Sequence, residues 1–341
     1  MDRVRARIEP SLGARVIKRT PLLYDRGADP ALDRPAHVRA GSALVRLDTH
    51  TLAVVQDDAS FLAVLDGVGH ATAALQVRDV PLPADGGVRL FDEGRRNKAR
   101  KLDLEACLAL DGEGGALLVA FGSGSTAVRD RVVLVDGAAS REPRVTVVEA
   151  RELYAELRAH AELAGSELNI EGAALAGRDV IFFQRGNGAP SGSLTAVDAT
   201  ARFDRDALLA YLRGADACPP LRNVVQWDLG NVRGTRLTFT DGAARRGDWT
   251  GFLACAEASP DATRDGPVSG VSIGRLDDQR RTAELAAIDD EHGAPLTDKA
   301  EGLAFAAADD DPRRAWLVVD RDDPSTPAEL LELRLGEGWL R

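Results

Sequence analysis

The sequence has few of the residues that mark disulfide-rich or metal-finger proteins. It contains three cysteines, one methionine and 5% aromatic residues in 341 positions. The cysteines, Cys107, Cys218 and Cys255, are odd in number and far apart, and no Cys-x-x-Cys pair occurs. This pattern excludes a disulfide framework and gives no signal for a zinc or thioredoxin-type site. Each cysteine lies in or near an apolar run and is predicted to be a buried free thiol.

Long apolar runs and an excess of basic residues are also lacking. No run approaches the roughly 18 apolar residues that a membrane span requires, and Met1–Ile8 has neither the apolar centre nor the cleavage site of a secretory signal. The formal net charge is −11, which argues against a nucleic-acid partner. We therefore expect a cytoplasmic protein with no membrane or nucleic-acid partner, and favour a monomer.

The sequence is instead rich in glycine, with 33 residues, and in short β-like runs, which is typical of many strands joined by turns. Five of these runs form a repeat, with starts at residues 42, 105, 171, 236 and 301, so the spacing is 63 to 66 residues. A second apolar run follows each first one and ends in polar residues at positions 57, 122, 185, 257 and 321. A fixed period of this length indicates a repeat architecture.

Two further strands are predicted in each of the first four units; in the third unit they are Ser193–Val197 and Val224–Leu229. The fourth unit is lengthened by an insertion around residues 245–248. The fifth unit has only one more strand, Ala328–Leu335, and Ala14–Thr20 is predicted to complete it from the N-terminal end of the chain. Such a closure joins the two ends of the chain in one sheet.

Four strands per unit and an even period predict an all-β fold, a five-bladed β-propeller closed by the N-terminal strand in the last blade, with six blades as the alternative. The propeller is expected to form a single domain over residues 1–341. Two helical patterns interrupt the strands, near residues 151–163 and 204–213, and are interpreted as insertions on the rim.

The first strand of a propeller blade lines the channel and the second runs antiparallel to it, so both repeat series meet at one channel mouth. The predicted inner ring consists of Ser42, Glu105, Glu171, Arg236 and Glu301. The residues predicted around this ring include Asp57, Asp58, Ser123, Arg185, Asn187, Glu257, Asp320, Arg321 and Asp322. The loops that enter the first strands add His37, Arg39, Lys98, Lys101, Asp103, Asn169 and Lys299.

Carboxylates that face each other across a channel repel one another unless something offsets their charge. In a metal interpretation, Glu105, Glu171 and Glu301, with Asp57 or Glu257, bind Ca²⁺ or Mg²⁺, which prefer oxygen ligands. In an acid/base interpretation, two carboxylates flank a substrate and Arg185 or Arg321 holds an anionic group. In a third interpretation, the ring is a salt-bridge network that only closes the channel.

The runs Asn169–Ala173 and Lys299–Leu303 resemble the Glu-Gly-Leu openings of bacterial propellers of the esterase-like phytase and gluconolactonase type. The resemblance implies that Glu171 and Glu301, which match the Glu-Gly motif, are divalent-metal ligands as in the gluconolactonase branch. The whole chain most resembles an uncharacterised bacterial β-propeller family. The stretches that carry this resemblance are Lys101–Glu105, Ser166–Gly172, Gln184–Pro190 and Lys299–Pro324.

Two functions follow from these patterns. The first is a divalent-metal-dependent hydrolase of a small anionic ester, lactone or phosphoester, with the metal ligands given above. Its catalytic residues would be Arg185, Arg321, Glu257 and His37, the last being the histidine placed near the mouth. The alternative is a non-catalytic propeller that binds a ligand or a protein at a salt-bridged channel mouth. A ligand-sized pocket with open cation positions favours the first function.

Overall fold

The computed structural model describes residues 3–70, 72–112, 114–244, 247, 249–259 and 266–341. Strands dominate these residues. In chain order the strands are β1 Val4–Arg5, β2 Arg7–Ile8, β3 Ala14–Pro21, β4 Gly41–Arg46, β5 Thr51–Gln56, β6 Phe61–Asp66, β7 Gln76–Pro81, β8 Leu104–Gly112, β9 Gly115–Gly122, β10 Arg131–Asp136, β11 Arg144–Glu149, β12 Ile170–Ala176, β13 Asp179–Gln184, β14 Asp198–Asp204, β15 Arg222–Asp228, β16 Asn231–Val232, β17 Thr235–Arg236, β18 Thr238–Ala244, β19 Thr250–Glu257, β20 Val268–Asp277, β21 Thr282–Asp289, β22 Lys299–Phe305, β23 Arg314–Asp320 and β24 Glu329–Leu335.

Five antiparallel units of four strands follow one another along the chain, which we number as sheets 1 to 5. Sheets 1, 2, 3 and 4 are β4–β7, β8–β11, β12–β15 and β18–β21, each in sequence order, and sheet 5 has the order β22-β23-β24-β3. A short parallel pairing of Ile288 and Asp289 with Ala14 and Arg15 joins sheets 4 and 5 into one nine-stranded sheet. The fold is therefore all-β, with the mixed pairing confined to the N-terminal segment.

The hydrophobic core is divided into five main clusters, and each cluster lies between two neighbouring sheets. Val54 packs between sheets 1 and 5, whereas the next residue, Val55, packs between sheets 1 and 2. The remaining clusters lie between sheets 2 and 3, sheets 3 and 4, and sheets 4 and 5. Because successive side chains of a strand point to opposite faces, each sheet is buried on both faces and its strands read as continuous apolar runs.

The inner strands close a ring around a central channel. Strand β4 contacts β8, β8 contacts β12, β12 contacts β18, β18 contacts β22, and β22 contacts β4 again. This cyclic packing of sheets around an axis is the arrangement of a β-propeller. The N-terminal segment lies on the outside, where β1 pairs with β15, β2 pairs with β21, and β3 pairs along its length with β24.

The pairing of the N-terminal strand with the last strand of the chain is confirmed. One predicted strand, Ser193–Val197, is wrong. Residues 191–194 form a turn closed by a bridge between Ser191 and Leu194, residues 195–197 belong to no strand, and the third strand of sheet 3 is β14 instead. Polar and small residues dominate residues 191–196, so the apolar pattern there was too short to fix a strand. The insertion predicted around residues 245–248 lies largely outside the described residues.

Among the described residues, three α-helices interrupt the strands, α1 Arg151–Ala159, α2 Ala161–Ala164 and α3 Arg205–Leu212. Helix α1 buries Leu153 and Leu157 against the core between sheets 2 and 3. Helix α3 begins after Asp204, whose carboxylate accepts hydrogen bonds from the backbone of the first turn. Short 3₁₀ helices lie at Pro10–Leu12, Pro30–Leu32, Lys98–Arg100, Ala127–Arg129 and Glu337–Leu340. In the part of the chain described here, every helix is too short or too polar to span a bilayer.

A buried carboxylate connects three of the inner strands. Asp241 in β18 is 1% exposed, and its two oxygens accept hydrogen bonds of 2.7 Å from the backbone N–H groups of Gly242 and Leu303. The backbone N–H of Leu44 in β4 also donates to it. The side chain therefore ties sheet 4 to sheets 5 and 1 close to the channel axis.

We predict that Asp241→Asn destabilises the protein by about 2 kcal/mol, because the amide N–H₂ would face a backbone N–H that has lost its acceptor. Urea or thermal unfolding followed by circular dichroism measures this change. The matched control is Asp111→Asn, at an exposed position of β8, which should leave stability within about 0.5 kcal/mol of the wild type. Equal stability of the two variants would contradict the role given to Asp241.

Candidate functional site

A cavity of about 900 Å³ opens at one mouth of the central channel. Its volume lies in the range of small-molecule sites. Charged side chains dominate its wall, with eleven carboxylates and six cations. The carboxylates are Asp57, Asp58, Asp92, Glu93, Asp103, Glu105, Glu171, Glu301, Asp320, Asp322 and Asp323, and the cations are Arg39, Lys98, Lys101, Arg129, Arg185 and Lys299. The cavity is thus lined by a surplus of negative charge.

A β-bulge recurs at the same place in all five inner strands. The register shifts between Gly41 and Ala43, Leu104 and Ala106, Ile170 and Gly172, Phe239 and Asp241, and Ala300 and Gly302. The extra residue of each bulge is Ser42, Glu105, Glu171, Thr240 and Glu301. A bulge redirects the side chain of its extra residue, and four of these five residues, all except Thr240, line the cavity.

The fourth member of the inner ring is therefore Thr240, and the prediction that Arg236 belongs to this ring is wrong. Arg236 lies in the β16–β17 hairpin and forms an ion pair with Asp198, away from the cavity wall. The Thr240 hydroxyl donates a 2.9 Å hydrogen bond to Ala300 of the next inner strand, as the Ser42 hydroxyl does at 2.5 Å to Leu104. The hydroxyl side chains of the ring thus join neighbouring strands, whereas the glutamate side chains line the cavity.

Close packing of neighbouring strands explains why a glycine follows two of these glutamates. A Cβ at Gly172 would lie 2.5 Å from the backbone nitrogen of Gly242, and a Cβ at Gly302 would lie 2.6 Å from the backbone nitrogen of Leu44. Neighbouring inner strands approach too closely at these points for any side chain. The Glu-Gly opening therefore combines a channel-facing carboxylate with a close contact between strands.

The most compact carboxylate group is formed by Asp57, Asp103 and Glu105. In the described parts of the chain it is the one set of three possible ligands whose oxygens all lie within 4.8 Å of one another. The ammonium of Lys101 forms ion pairs with Asp57 and, at 2.6 Å, with Asp103. Asp103 also accepts bonds from Arg129 at 2.8 Å and from the hydroxyl of Ser123 at 2.5 Å. We name these three acidic residues the Asp57–Asp103–Glu105 group.

The charges of this group determine how its members titrate. Burial lowers the pKa of Lys101, but the carboxylates of Asp57 and Asp103 outweigh burial and hold that pKa well above its usual value. Burial raises the pKa of Asp57, and Lys101 outweighs it and keeps the pKa below its usual value. Burial, and then the charges of Asp103 and Asp57, raise the pKa of Glu105 well above its usual value. The single ammonium therefore neutralises the group only in part.

Glu171 lies beside a second cation. The guanidinium of Arg185 is 3.4 Å from Glu171 and 2.5 Å from Glu257, and Asn169 donates a 2.7 Å hydrogen bond to Glu171. Burial raises the pKa of Glu171, and Arg185 only partly opposes this shift. Glu257 is buried behind Arg185 and does not line the cavity. Since Arg185 lies between two carboxylates, its positive charge is already neutralised by them.

Glu301 shares the ammonium of Lys299 with two aspartates. The Lys299 nitrogen lies 3.8 Å from Glu301, 3.7 Å from Asp320 and 2.9 Å from Asp322. Within the described residues, Oε1 of Glu301 accepts no hydrogen bond although it is buried, and the same holds for Oδ1 of Asp57. These oxygens are acceptors that a bound ligand or ion can use.

Besides Glu257, two predicted catalytic residues lie away from the cavity wall. Arg321 forms ion pairs with Asp298 at 2.6 Å and Glu329 at 3.5 Å. His37 is half-buried, and its Nε2 lies 3.1 Å from the carbonyl oxygen of Pro324. The structure thus gathers Asp57, Glu105, Glu171, Glu301 and Arg185 at the cavity and leaves Arg321, His37 and Glu257 outside its wall.

Sequence reasoning missed Arg129 and Asp92 as wall residues. Arg129 ends the 3₁₀ helix Ala127–Arg129, and Asp92 lies in the loop before β8. Neither has a counterpart in the other units of the repeat, so the period contained no signal for them. Asp92 is paired with Arg39 at 3.4 Å, a contact that only the folded chain reveals.

Solved structures with similar architecture span nearly the whole chain at low identity. A luciferin-regenerating enzyme is 10% identical with a TM-score of 0.43, and the match covers 88% of this chain and 94% of that one. A gluconolactonase from Xanthomonas campestris is 13% identical with a TM-score of 0.39, covering 97% and 99%. An aldose sugar dehydrogenase from Streptomyces coelicolor is 11% identical with a TM-score of 0.40, covering 94% and 98%.

TM-scores below 0.5 at these identities do not assign an activity. No curated protein matches the sequence. One family model does match, over residues 37–335, and this range contains the four complete sheets, the three C-terminal strands of sheet 5 and the whole cavity wall. The chain belongs to this family, which is described as a family of unknown function, DUF6929.

Proposed function

We propose that the protein is a divalent-cation-dependent hydrolase that acts on a small anionic ester, lactone or phosphoester in the central cavity. The observation that carries this proposal is a ligand-sized cavity with a surplus of carboxylates. Three of them, Asp57, Asp58 and Glu301, have a buried oxygen without a hydrogen-bond donor in the described residues. Such oxygens suit a hard cation, which takes carboxylate ligands. The proposal includes five blades, one for each of sheets 1 to 5, and a substrate that reaches the site through the channel mouth.

The donor set fits Ca²⁺ or Mg²⁺. Asp57 contributes Oδ1, which has no donor among the described residues, and Glu105 contributes a carboxylate for which no hydrogen bond or ion pair is found there. Asp103 lies in the same group, but both of its oxygens already bind Lys101, Arg129 and Ser123. Glu171 and Glu301 face the same cavity from sheets 3 and 5. When bound, the cation would polarise the scissile bond and lower the pKa of a water molecule.

The chain's own residues would bind the substrate and transfer protons. Of the six cations of the wall, Lys98 has no ion pair among the described residues, so it is available to an anionic group. Arg185 and Lys299 instead hold the glutamates of the ring in place. Burial raises the pKa values of Asp58 and Asp320 to about 7, which suits proton transfer near neutral pH.

A second function, a non-catalytic ligand-binding propeller, is favoured by the ion pairs of the wall. Five of the six wall cations are paired with carboxylates, and Arg185 pairs residues of sheets 3 and 4. Networks of this kind also occur with a purely structural role. The two functions differ in turnover, since only the first consumes its ligand.

We expect chelator-treated protein to bind Ca²⁺ or Mg²⁺ and to melt at a higher temperature when the ion is added, because an ion that binds only the folded state stabilises it. Asp57→Asn and Glu105→Gln should abolish the shift, and Glu142→Gln, at an exposed position outside the cavity, should retain it. Differential scanning fluorimetry measures the shift. If Glu171→Gln and Glu301→Gln abolish the shift in melting temperature instead, then Glu171 and Glu301 are the ligands of the cation.

Hydrolysis of a panel of small esters, lactones and phosphoesters, with and without the cation, tests the activity itself. The proposal expects turnover of at least one anionic member that needs the cation and falls at least about 100-fold in Glu105→Gln, since a lost ligand removes much of the charge stabilisation. Absence of an effect of millimolar cation on both melting and turnover would leave the binding function as the better account.

We predict that the cation-free protein becomes less stable as the pH rises from 6 to 8. The pKa values of Asp58 and Asp320 are about 7 in the folded protein, against about 4 in an unfolded chain. A group with a raised folded-state pKa stabilises the fold below its unfolded pKa, and this stabilisation is lost as the pH rises through the folded pKa. Burial is the main cause for both groups, with Asp57 adding to it and Arg39 or Lys299 opposing it.

Melting temperatures measured at several pH values check this prediction. The variant Asp320→Asn removes one of the two titrating groups and should flatten the pH dependence, whereas Asp111→Asn should not. A melting temperature that rises steadily from pH 6 to 8 in the wild type would be the opposite of the expected result.

A further inference from the structure

The ammonium of Lys101 lies against the most compact carboxylate group of the cavity wall. Its ammonium forms ion pairs with two of the three members of the Asp57–Asp103–Glu105 group, and the charge of Glu105 also acts on it. The Lys101 side chain is 7% exposed, and it contacts the cavity. A cation therefore already lies among the carboxylates that are closest together.

We propose that Lys101 is the resident counter-ion of the Asp57–Asp103–Glu105 group and competes with a divalent cation for it, so that this lysine sets the metal affinity of the cavity. The inference rests on the cation site of the proposed function, but it concerns the identity of the group that fills the site. It predicts that the site has a low affinity for a divalent cation, because the Lys101 ammonium already lies there.

The competition follows from geometry. The ammonium lies at hydrogen-bond distance from Asp103 Oδ1, and Ca²⁺ or Mg²⁺ would approach its oxygens to about 2.0–2.6 Å. Lys101 binds Oδ2 of Asp57, the other oxygen of the carboxylate whose Oδ1 would hold the ion, so the two positive charges would lie close together and repel each other. An ion bound through Asp57 Oδ1 and Glu105 therefore requires the ammonium to withdraw.

The lysine has a route for withdrawal. Its flexible four-carbon stem lets the ammonium move without a backbone shift, and the side chain already lines an open cavity. Arg129, which also bonds Asp103, is more constrained because it donates to Ser125 as well and lies at the end of a 3₁₀ helix. Lys101 is thus the exchangeable cation of the group, and Arg129 the fixed one.

Lys98 provides a matched control in the same cavity. It lines the wall from the preceding turn, and the described residues offer it no ion pair. Removing its charge changes the net charge of the cavity by the same amount as removing that of Lys101. Only Lys101, however, is ion-paired with Asp57, a carboxylate that would also hold the ion.

The experiment compares the wild type with Lys101→Met, Lys101→Arg and Lys98→Met by calcium titration calorimetry on chelator-treated protein. Lys101→Met should bind Ca²⁺ more than about 30-fold more tightly than the wild type, because a unit charge about 4 Å from a divalent ion is removed. Lys101→Arg keeps the charge and should show no gain. Lys98→Met should gain less than about 3-fold, because Lys98 forms no ion pair with the group in the described residues and its charge acts on Asp57 less than that of Lys101.

Each outcome bears on the inference. Tighter binding in Lys101→Met supports it even if the wild type binds no calcium, and in that case only the cation dependence of the proposed function fails. Equal or weaker binding in Lys101→Met than in the wild type overturns the inference and leaves the proposed function standing. A gain in Lys98→Met as large as that in Lys101→Met overturns it as well, and absence of binding in every variant overturns both.

Lys101→Met removes the ion-pair partner of Asp57 and leaves Asp103 with Arg129 and Ser123. The variant is therefore also melted with and without millimolar calcium. If the variant is unfolded or unstable without calcium, recovery of the folded circular dichroism spectrum on adding the ion supports the inference. Failure of calcium to restore it, when Lys101→Arg is folded, overturns it.

Discussion

The β-bulge that recurs in all five inner strands is the constraint on which the channel mouth depends. Each bulge gives the inner strand one residue more than its partner, and the extra side chain is turned out of the regular alternation. Three of the five residues are glutamates, so carboxylates meet in the cavity at the channel mouth. The counter-ions, the glycines after two of the glutamates and the cavity itself follow from this arrangement.

The counter-ions do more than neutralise charge, because several of them come from a neighbouring sheet. Lys101 precedes sheet 2 and binds Asp57 at the end of β5 in sheet 1, and Arg185 after β13 in sheet 3 binds Glu257 in sheet 4. Breaking such a buried pair leaves an uncompensated charge and is costly. Site chemistry and the docking of the sheets are therefore coupled, and substitutions at the site also act on stability.

The period of the sequence was sufficient to predict most of the strands and the presence of Glu105, Glu171 and Glu301 at one cavity, because buried strands and their spacing are local and repetitive. It was not sufficient at the fourth position, where a hairpin shifts the start of the inner strand and Thr240 replaces the expected Arg236. Ion pairs such as that between Arg321 and Asp298 depend on which loops lie next to each other in the folded chain. A period carries no information about such meetings, and the loop residues Arg129 and Asp92 were missed for the same reason.

The placement of the first strands has a consequence for the order of folding. Strands β1, β2 and β3 pair with β15, β21 and β24, which lie between residues 222 and 335. During synthesis, strands β1 to β3 thus have no strand partner until β15, β21 and β24 have left the ribosome, and sheet 5 remains incomplete until β24 is made. Pairing over such a sequence distance makes the closure of sheet 5 slow. Until β3 pairs with β24, the edge of sheet 5 is exposed, and an exposed strand edge favours association with other chains.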